Sequence, residues 1–223
     1  MKKIGAITIG QSPRIDVIPE MKAVLGNEIE VMEMGALDGL TKEEISEFKP
    51  EDGDYVLVSR LKDGTSASFA EKYIIPRLQN CIDELEKSGA EIIVFICTGA
   101  FPNVFKSNKL LLYPQRLLYS LVPELASSGK IGVFVPLEKQ KKQSYDKWCE
   151  SGKKIEVVSG SPYDDIEKIE KAATELKEKD VDVIVLDCIG YNLKMKDLVR
   201  RITGKPVVLP RTIVGRIVRE MLE

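Results

Sequence analysis

The chain has 223 residues, 43% hydrophobic and 30% charged, with a net charge of −2 and no histidine. That length suits one large globular domain or two of about 100 residues each. The near-neutral balance argues against nucleic acid or an anionic membrane as the main partner. The lack of histidine excludes Ser–His and Cys–His nucleophile pairs, His-ligated metals and an imidazole base. Proton chemistry must rest on Cys, Asp, Glu, Lys or Tyr.

In chain order, "MKKIGAITIGQSPR" has two lysines and an apolar run too short for a signal peptide. It reads as a first strand, 3–9, in a protein expected to be cytoplasmic. Gly10, Gln11 and Ser12 then form a strand-to-helix loop, with Ser12 as N-cap and Pro13 in the first helical turn. A strand over 28–34 follows. Residues 35–70 hold "TKEEISEF", a short helix capped by Thr41 with Glu44 at the capping-box position. They also hold "YVLVSRLKDGTSASF", a hairpin starting with strand 55–61 and turning at Asp63-Gly64. Ile74, Leu78, Cys81, Ile82 and Leu85 make a helical stripe over 71–87. Strands are predicted at 91–97, 109–113, 130–135, 155–158, 182–188 and 206–209. Pro114 suits a helix start, and Asp164–Lys179 has helical spacing. "LEKQKKQSYDKW" reads as a solvated helix face and "SGSPYDD" as a turn opening a helix, its Ser161 preceding a proline as Ser12 does. The apolar runs are strand-sized, too short to span a bilayer.

The chain repeats itself. "AEIIVFICTGAF" (90–101) and "VDVIVLDCIGYN" (181–192) align at an offset of 91, matching Cys97 to Cys188 and Gly99 to Gly190. Upstream, Leu85 matches Leu176 at the same offset. "KIGAITIG" (3–10) resembles "KIGVFVPL" (130–137) at 127, and "GNEIEV" (26–31) resembles "GKKIEV" (152–157) at 126. Four matches in one order indicate duplication, with 35–70 an excursion of the first half. Alternating strands and helices imply α/β halves with parallel sheets. Continuous Val/Ile/Leu runs fit strands buried on both faces.

Both cysteines end strands, at the sheet edge where ligands of open parallel sheets bind. A lone cysteine there is most simply a small buried apolar residue. Two at repeated positions point to a site. If the halves face each other, the sulfurs lie roughly 6–9 Å apart with one carbon between them. One thiolate can then remove a proton and the other thiol return one, with no cofactor or metal. Cys97 takes the base role. Cys188, beside Asp187, takes the acid role, because a nearby carboxylate disfavours thiolate. Cys81 and Cys149 read as structural. Gly10, Gln11 and Ser12 are candidates to hold a carboxylate at a helix N-terminus, although an ordinary cap fits them as well. Thr98, Gly99, Ile189, Gly190 and Tyr191, in the cysteine loops, are further candidates to bind the substrate. Arg14 offers a charge, though an exposed helix arginine is the commoner case.

"CTGA" (97–100) and "DCIGY" (187–191), each closing a strand of a duplicated half, resemble the cysteine motifs of the aspartate/glutamate/hydantoin racemase superfamily. With "ITIGQSPR", the hairpin, "IGVFVP" and "VIVLDCIGYN", the chain most resembles the AroM family over essentially its full length. The resemblance implies two pseudo-symmetric flavodoxin-like domains with a cleft between them. The first is 1–99 plus about 205–223, the last strand and helix returning to it, and the second is 100–204. Characterised racemases carry Asp-Ser after the first strand and Thr after the second cysteine. This chain reads Gly10-Gln11-Ser12 and Cys188-Ile189.

The resulting expectation is a cofactor-independent racemase, epimerase or isomerase of a small carboxylate. A non-catalytic binding or sensor protein and a single-cysteine decarboxylase or lyase are the alternatives. The expected partner is a small carboxylate or other small anion, with no nucleic acid and no membrane. A homodimer is left open.

Overall fold

In a computed structural model that describes residues 2–223, the chain forms two compact units. One runs to Pro114 and includes Gly215–Glu223; the other is Gln115–Val214.

The first unit is built on β1 (Lys2–Thr8), β2 (Ile29–Gly35), β5 (Ile92–Ile96) and β6 (Leu110–Leu112), all parallel in the order β2-β1-β5-β6. β5 is buried at every position, as a strand covered on both faces must be. Helices α1 (Ile18–Leu25) and α3 (Glu71–Lys87) belong to this unit. The excursion holds α2 (Lys42–Ser46) and the antiparallel hairpin of β3 (Val56–Arg60) and β4 (Ser66–Ala70). Thr41 and Glu44 form the expected capping box: Thr41 accepts the Glu44 N–H, and Glu44 accepts the Thr41 N–H. Leu57 and Phe69 bring the hairpin into the same core as Ile74, Leu78 and Phe95.

The second unit repeats the plan. β7 (Lys130–Val135), β8 (Lys154–Ser159), β9 (Val183–Leu186) and β10 (Val207–Val208) are parallel in the equivalent order β8-β7-β9-β10. Around them run α4 (Pro114–Leu125), a 3₁₀ turn (Glu138–Gln140), α5 (Lys141–Cys149), α6 (Ile166–Lys177) and α7 (Leu193–Thr203). The final helix, α8 (Pro210–Leu222), crosses the boundary between units.

The duplication extends to single contacts. Gly5 pairs with Ile93 and Gly132 with the equivalent Ile184. A Cβ on Gly5 would lie 2.9 Å from Leu85, and one on Gly132 would lie 2.7 Å from Leu176. Glu91 accepts the Lys3 N–H at 3.1 Å, and Asp182 accepts the Lys130 N–H at 3.1 Å. Each half thus sets one helix leucine directly on a central-strand glycine.

Three expectations are corrected. The last strand does not return to the first sheet, because Val207 and Val208 pair with Ile184 and Val185. Likewise residues 100–114 remain with the first unit, β6 pairing with β5. The second strands are not aligned at offset 126. Lys3 faces Glu30 while Lys130 faces Lys154, a two-residue slip that keeps each side chain on its face.

Candidate functional site

In each unit the third strand ends at a cysteine. β5 stops at Ile96 and Cys97 follows, 8% exposed, over a cluster in which the Phe95 and Tyr113 rings stack at 4.6 Å. The Cys97 sulfur accepts the backbone N–H of Gly99 at 3.2 Å. β9 stops at Leu186, and Cys188, 7% exposed, accepts the Gly190 N–H at 3.4 Å. The same three-residue device thus turns a backbone donor onto each sulfur.

The surroundings of the two loops differ. In the first unit the hairpin covers the loop: a Cβ on Gly99 would lie 2.8 Å from Leu57. Tyr55 accepts the Ala100 N–H at 3.2 Å. In the second unit Tyr163, from the loop after β8, covers Gly190, whose Cβ would lie 2.5 Å from the phenol oxygen. That oxygen is 3.8 Å from the Cys188 sulfur. Arg211, fully buried, donates Nε (3.1 Å) and Nη2 (2.9 Å) to the Ile189 carbonyl and Nη2 to the Gly190 carbonyl (2.9 Å). Tyr191 is fully buried and donates its hydroxyl to the Gly160 carbonyl at 2.7 Å. Burial, reinforced by Cys188 and Asp187, pushes its phenol well above the ordinary range.

Asp187 points away from this face, as alternation along an extended chain requires. One carboxylate oxygen accepts the Trp148 indole N–H of α5 at 2.8 Å; the other is buried and has no hydrogen-bond partner among the described residues.

The loop after β1 is not a helix cap. α1 begins at Ile18, with Pro19 in its first turn and no side-chain cap. Ser12 spends both donors on Asp38, its N–H at 2.7 Å and its hydroxyl at 2.6 Å. Gln11 donates to the Leu37 and Leu40 carbonyls and accepts the Lys62 N–H at 2.9 Å. Gly10 lies so close to β3 that a Cβ would be 2.5 Å from the Ser59 hydroxyl. Arg14, read as an exposed helix residue, is 2% exposed and lies in the loop. Its guanidinium grips Asp16 with two 2.8 Å bonds and donates to Thr8 (3.0 Å) and Ser59 (3.2 Å). A buried guanidinium needs such partners. Gly10, Gln11, Ser12 and Arg14 therefore form one brace joining β1, the 36–40 loop and the hairpin. Thr98 is buried beside Cys97.

Among the residues missed in the sequence, Tyr163 and Arg211 matter most. Tyr163 sits in "SGSPYDD" and Arg211 in "LPRTIV", and neither segment announces a contact more than 20 residues away. Cys81 is structural. Burial pushes its thiol up to about 11, with Asp38 adding to the effect. Among the described residues no cluster of His, Cys, Asp and Glu could hold a metal ion, and no helix is long and apolar enough to cross a membrane.

These features define a class: duplicated parallel α/β proteins with a thiol at the end of the third strand of each sheet. This chain belongs to the AroM family; the family model described as AroM protein matches residues 4–222. No curated protein matches it in sequence. Solved structures share the fold. Allantoin racemase from Klebsiella pneumoniae is 13% identical with TM-score 0.66, the match covering 100% of this chain and 88% of that one. The maleate isomerase Iso from Pseudomonas putida S16 is 15% identical with TM-score 0.65, covering 99% and 93%. A liganded mutant of arylmalonate decarboxylase is 16% identical with TM-score 0.63, covering 100% and 92%.

Proposed function

We propose that this protein is a cofactor-independent racemase, epimerase or related isomerase of a small carboxylate, using Cys97 and Cys188. The observation that carries the reading is the matched setting of the two thiols. Each follows the third strand of an equivalent sheet, and each sulfur receives the N–H of the glycine two residues on. A backbone donor aimed at sulfur favours the thiolate, the form that can take a proton. The similar folds belong to proteins named as a racemase, an isomerase and a decarboxylase.

In the proposed step the Cys97 thiolate takes a proton from the carbon beside the substrate carboxylate. The carbon keeps the bonding pair. Cys188 returns a proton to the opposite face and is left as thiolate. One proton leaves and one arrives, and the next turnover can run the other way. Because Ser12 is committed to Asp38, the carboxylate is held by the Thr98 hydroxyl and nearby backbone N–H groups. The Gly10–Arg14 brace fixes the first loop, and Asp187 anchors the second loop to α5.

The test is a panel of small carboxylates in deuterated buffer followed by NMR. A substrate should gain one deuterium at the inverted carbon. Cys97→Ser and Cys188→Ser should each slow inversion by a factor of roughly 10² or more. Thermal stabilisation by a carboxylate with no exchange at carbon would overturn the enzymatic reading in favour of a binding protein. The different neighbours of the two sulfurs favour one second reading, a single-thiol decarboxylase. In that case activity depends on one cysteine and carbon dioxide is released.

A further inference from the structure

We infer that Tyr163 is a further catalytic residue, its phenol hydroxyl stabilising the Cys188 thiolate that forms when this cysteine gives up its proton. The inference rests on the two-thiol reading above for its catalytic meaning. The contact itself stands apart from that reading.

The argument starts from the broken symmetry of the two cysteine loops. Gly99 and Gly190 are equivalent, and each offers its N–H to the preceding sulfur. Each also lacks a side chain where another residue presses down. Over Gly99 that residue is Leu57, a hydrocarbon; over Gly190 it is Tyr163, with a polar tip. Leu57 thus covers Gly99, while the residue over Gly190 sets a hydroxyl 3.8 Å from the Cys188 sulfur, within reach for a large sulfur acceptor. Gly190 must be glycine for the ring to come this close. The Tyr163 N–H donates to the Ser161 hydroxyl at 3.1 Å, which holds the loop that carries the ring.

The direction of donation to the charged form follows from where the protons are. A thiolate has no proton to give, so once Cys188 is ionised the hydroxyl is the donor between these two groups. When Cys188 passes its proton to carbon, the electron pair of the broken S–H bond stays on sulfur. Tyr163 keeps its own proton throughout and supplies a hydrogen bond that strengthens as the charge forms. Tyr191, Asp187 and Arg211 are further titratable or charged groups on or beside this loop. Tyr191 stays protonated and is bonded to the Gly160 carbonyl. Asp187 is turned to Trp148, and Arg211 is bonded to the Ile189 and Gly190 carbonyls. The phenol of Tyr163 thus sets a hydroxyl on the sulfur from within this unit.

The experiment is the pH profile of iodoacetamide alkylation, read separately at Cys188 and Cys97 by peptide mass spectrometry. It compares the wild-type chain with Tyr163→Phe and needs no substrate. The expected result is a rate at Cys188 about threefold to tenfold lower at neutral pH, with its midpoint moved to higher pH. Cys97 in the same sample should be unchanged, which reports an intact fold. Replacing Tyr163 with 3-fluorotyrosine keeps the shape but makes a stronger donor, and should move the Cys188 midpoint to lower pH. If Tyr163→Phe does not fold, the fluorotyrosine protein decides alone. Unmoved Cys188 midpoints would overturn the inference even if the enzyme racemises. A moved midpoint without deuterium exchange on any carboxylate would leave the contact standing and overturn the function instead.

Discussion

The indole N–H of Trp148 donates to the carboxylate of Asp187 at 2.8 Å, tying the residue before Cys188 to helix α5. This bond decides what Asp187 does. A carboxylate beside a thiol in sequence invites the idea that its charge acts on the sulfur. Here it faces the opposite layer, packed with Trp148, while Cys188 belongs to the cluster on the other side of the sheet. Its other oxygen has no donor, so the indole carries the whole hydrogen-bonding demand that the described residues meet.

Trp148→Phe should therefore destabilise the protein by roughly 2–4 kcal/mol, combining lost packing with an orphaned buried carboxylate. Asp187→Asn retains an acceptor for the indole and should cost less. Urea unfolding of both variants gives the comparison. A loss in Asp187→Asn equal to that in Trp148→Phe would show that the indole N–H needs the carboxylate charge and not merely an acceptor.

Arg14 yields a second expectation. It is buried and bridges Asp16, Thr8 and Ser59, so the brace fails as a unit when the guanidinium goes. Arg14→Ala should lower stability by about 3–5 kcal/mol, because Asp16 loses both guanidinium bonds. Arg14→Lys should recover only part of that, since an ammonium cannot bind Asp16 with two parallel bonds and reach Thr8 as well. A lysine variant as stable as wild type would show that charge alone suffices.

Much of the architecture was legible because its signals are local. The capping box at Thr41 and Glu44, the turn at Asp63-Gly64 and the stripe of α3 all lie within a few turns of chain. The repeat pointed to two equivalent halves, and the sheets have equivalent strand orders, with Gly5 and Gly132 carrying the same packing duty under Leu85 and Leu176. What failed was set by distant partners. Ser12 before a proline reads as a helix cap, yet its donors are taken by Asp38, 26 residues on. Arg14 reads as exposed until Ser59, 45 residues on, is placed beside it. Tyr163 gains its meaning only when β8 sets its loop against Gly190.

Cys81 predicts a pH effect with a definite sign. Its folded-state pKa is raised from 9.0 to about 11 by burial, so the folded protein holds this proton more tightly than the unfolded chain. Between those values the unfolded state binds fewer protons, and stability falls as pH rises. Below about pH 9 both states are protonated and the effect vanishes. Tyr191 adds the same sign at higher pH. Urea midpoints at pH 8 and pH 10.5 should fall less in Cys81→Ala than in wild type. An unchanged pH slope would assign the alkaline loss to other groups.

The equivalent glycines after the two thiols give the last expectation. A methyl group on Gly99 would meet Leu57 at 2.8 Å, and one on Gly190 would meet the Tyr163 phenol oxygen at 2.5 Å and its ring at 2.7 Å. Neither position needs a left-handed backbone, so the cost of alanine is steric crowding. Overpacking of this kind costs about 1–3 kcal/mol. The two sites should differ in how they are relieved. Leu57→Ala should restore Gly99→Ala, because a shorter hairpin side chain frees the space. Tyr163→Phe should do little for Gly190→Ala, because the ring itself remains within contact, whereas Tyr163→Ala should relieve it. Denaturation of each single and double variant gives the coupling energies directly. Additive losses at either pair would show that the loop moves away rather than pressing on its cover, and that the cover does not hold the adjacent thiol in place.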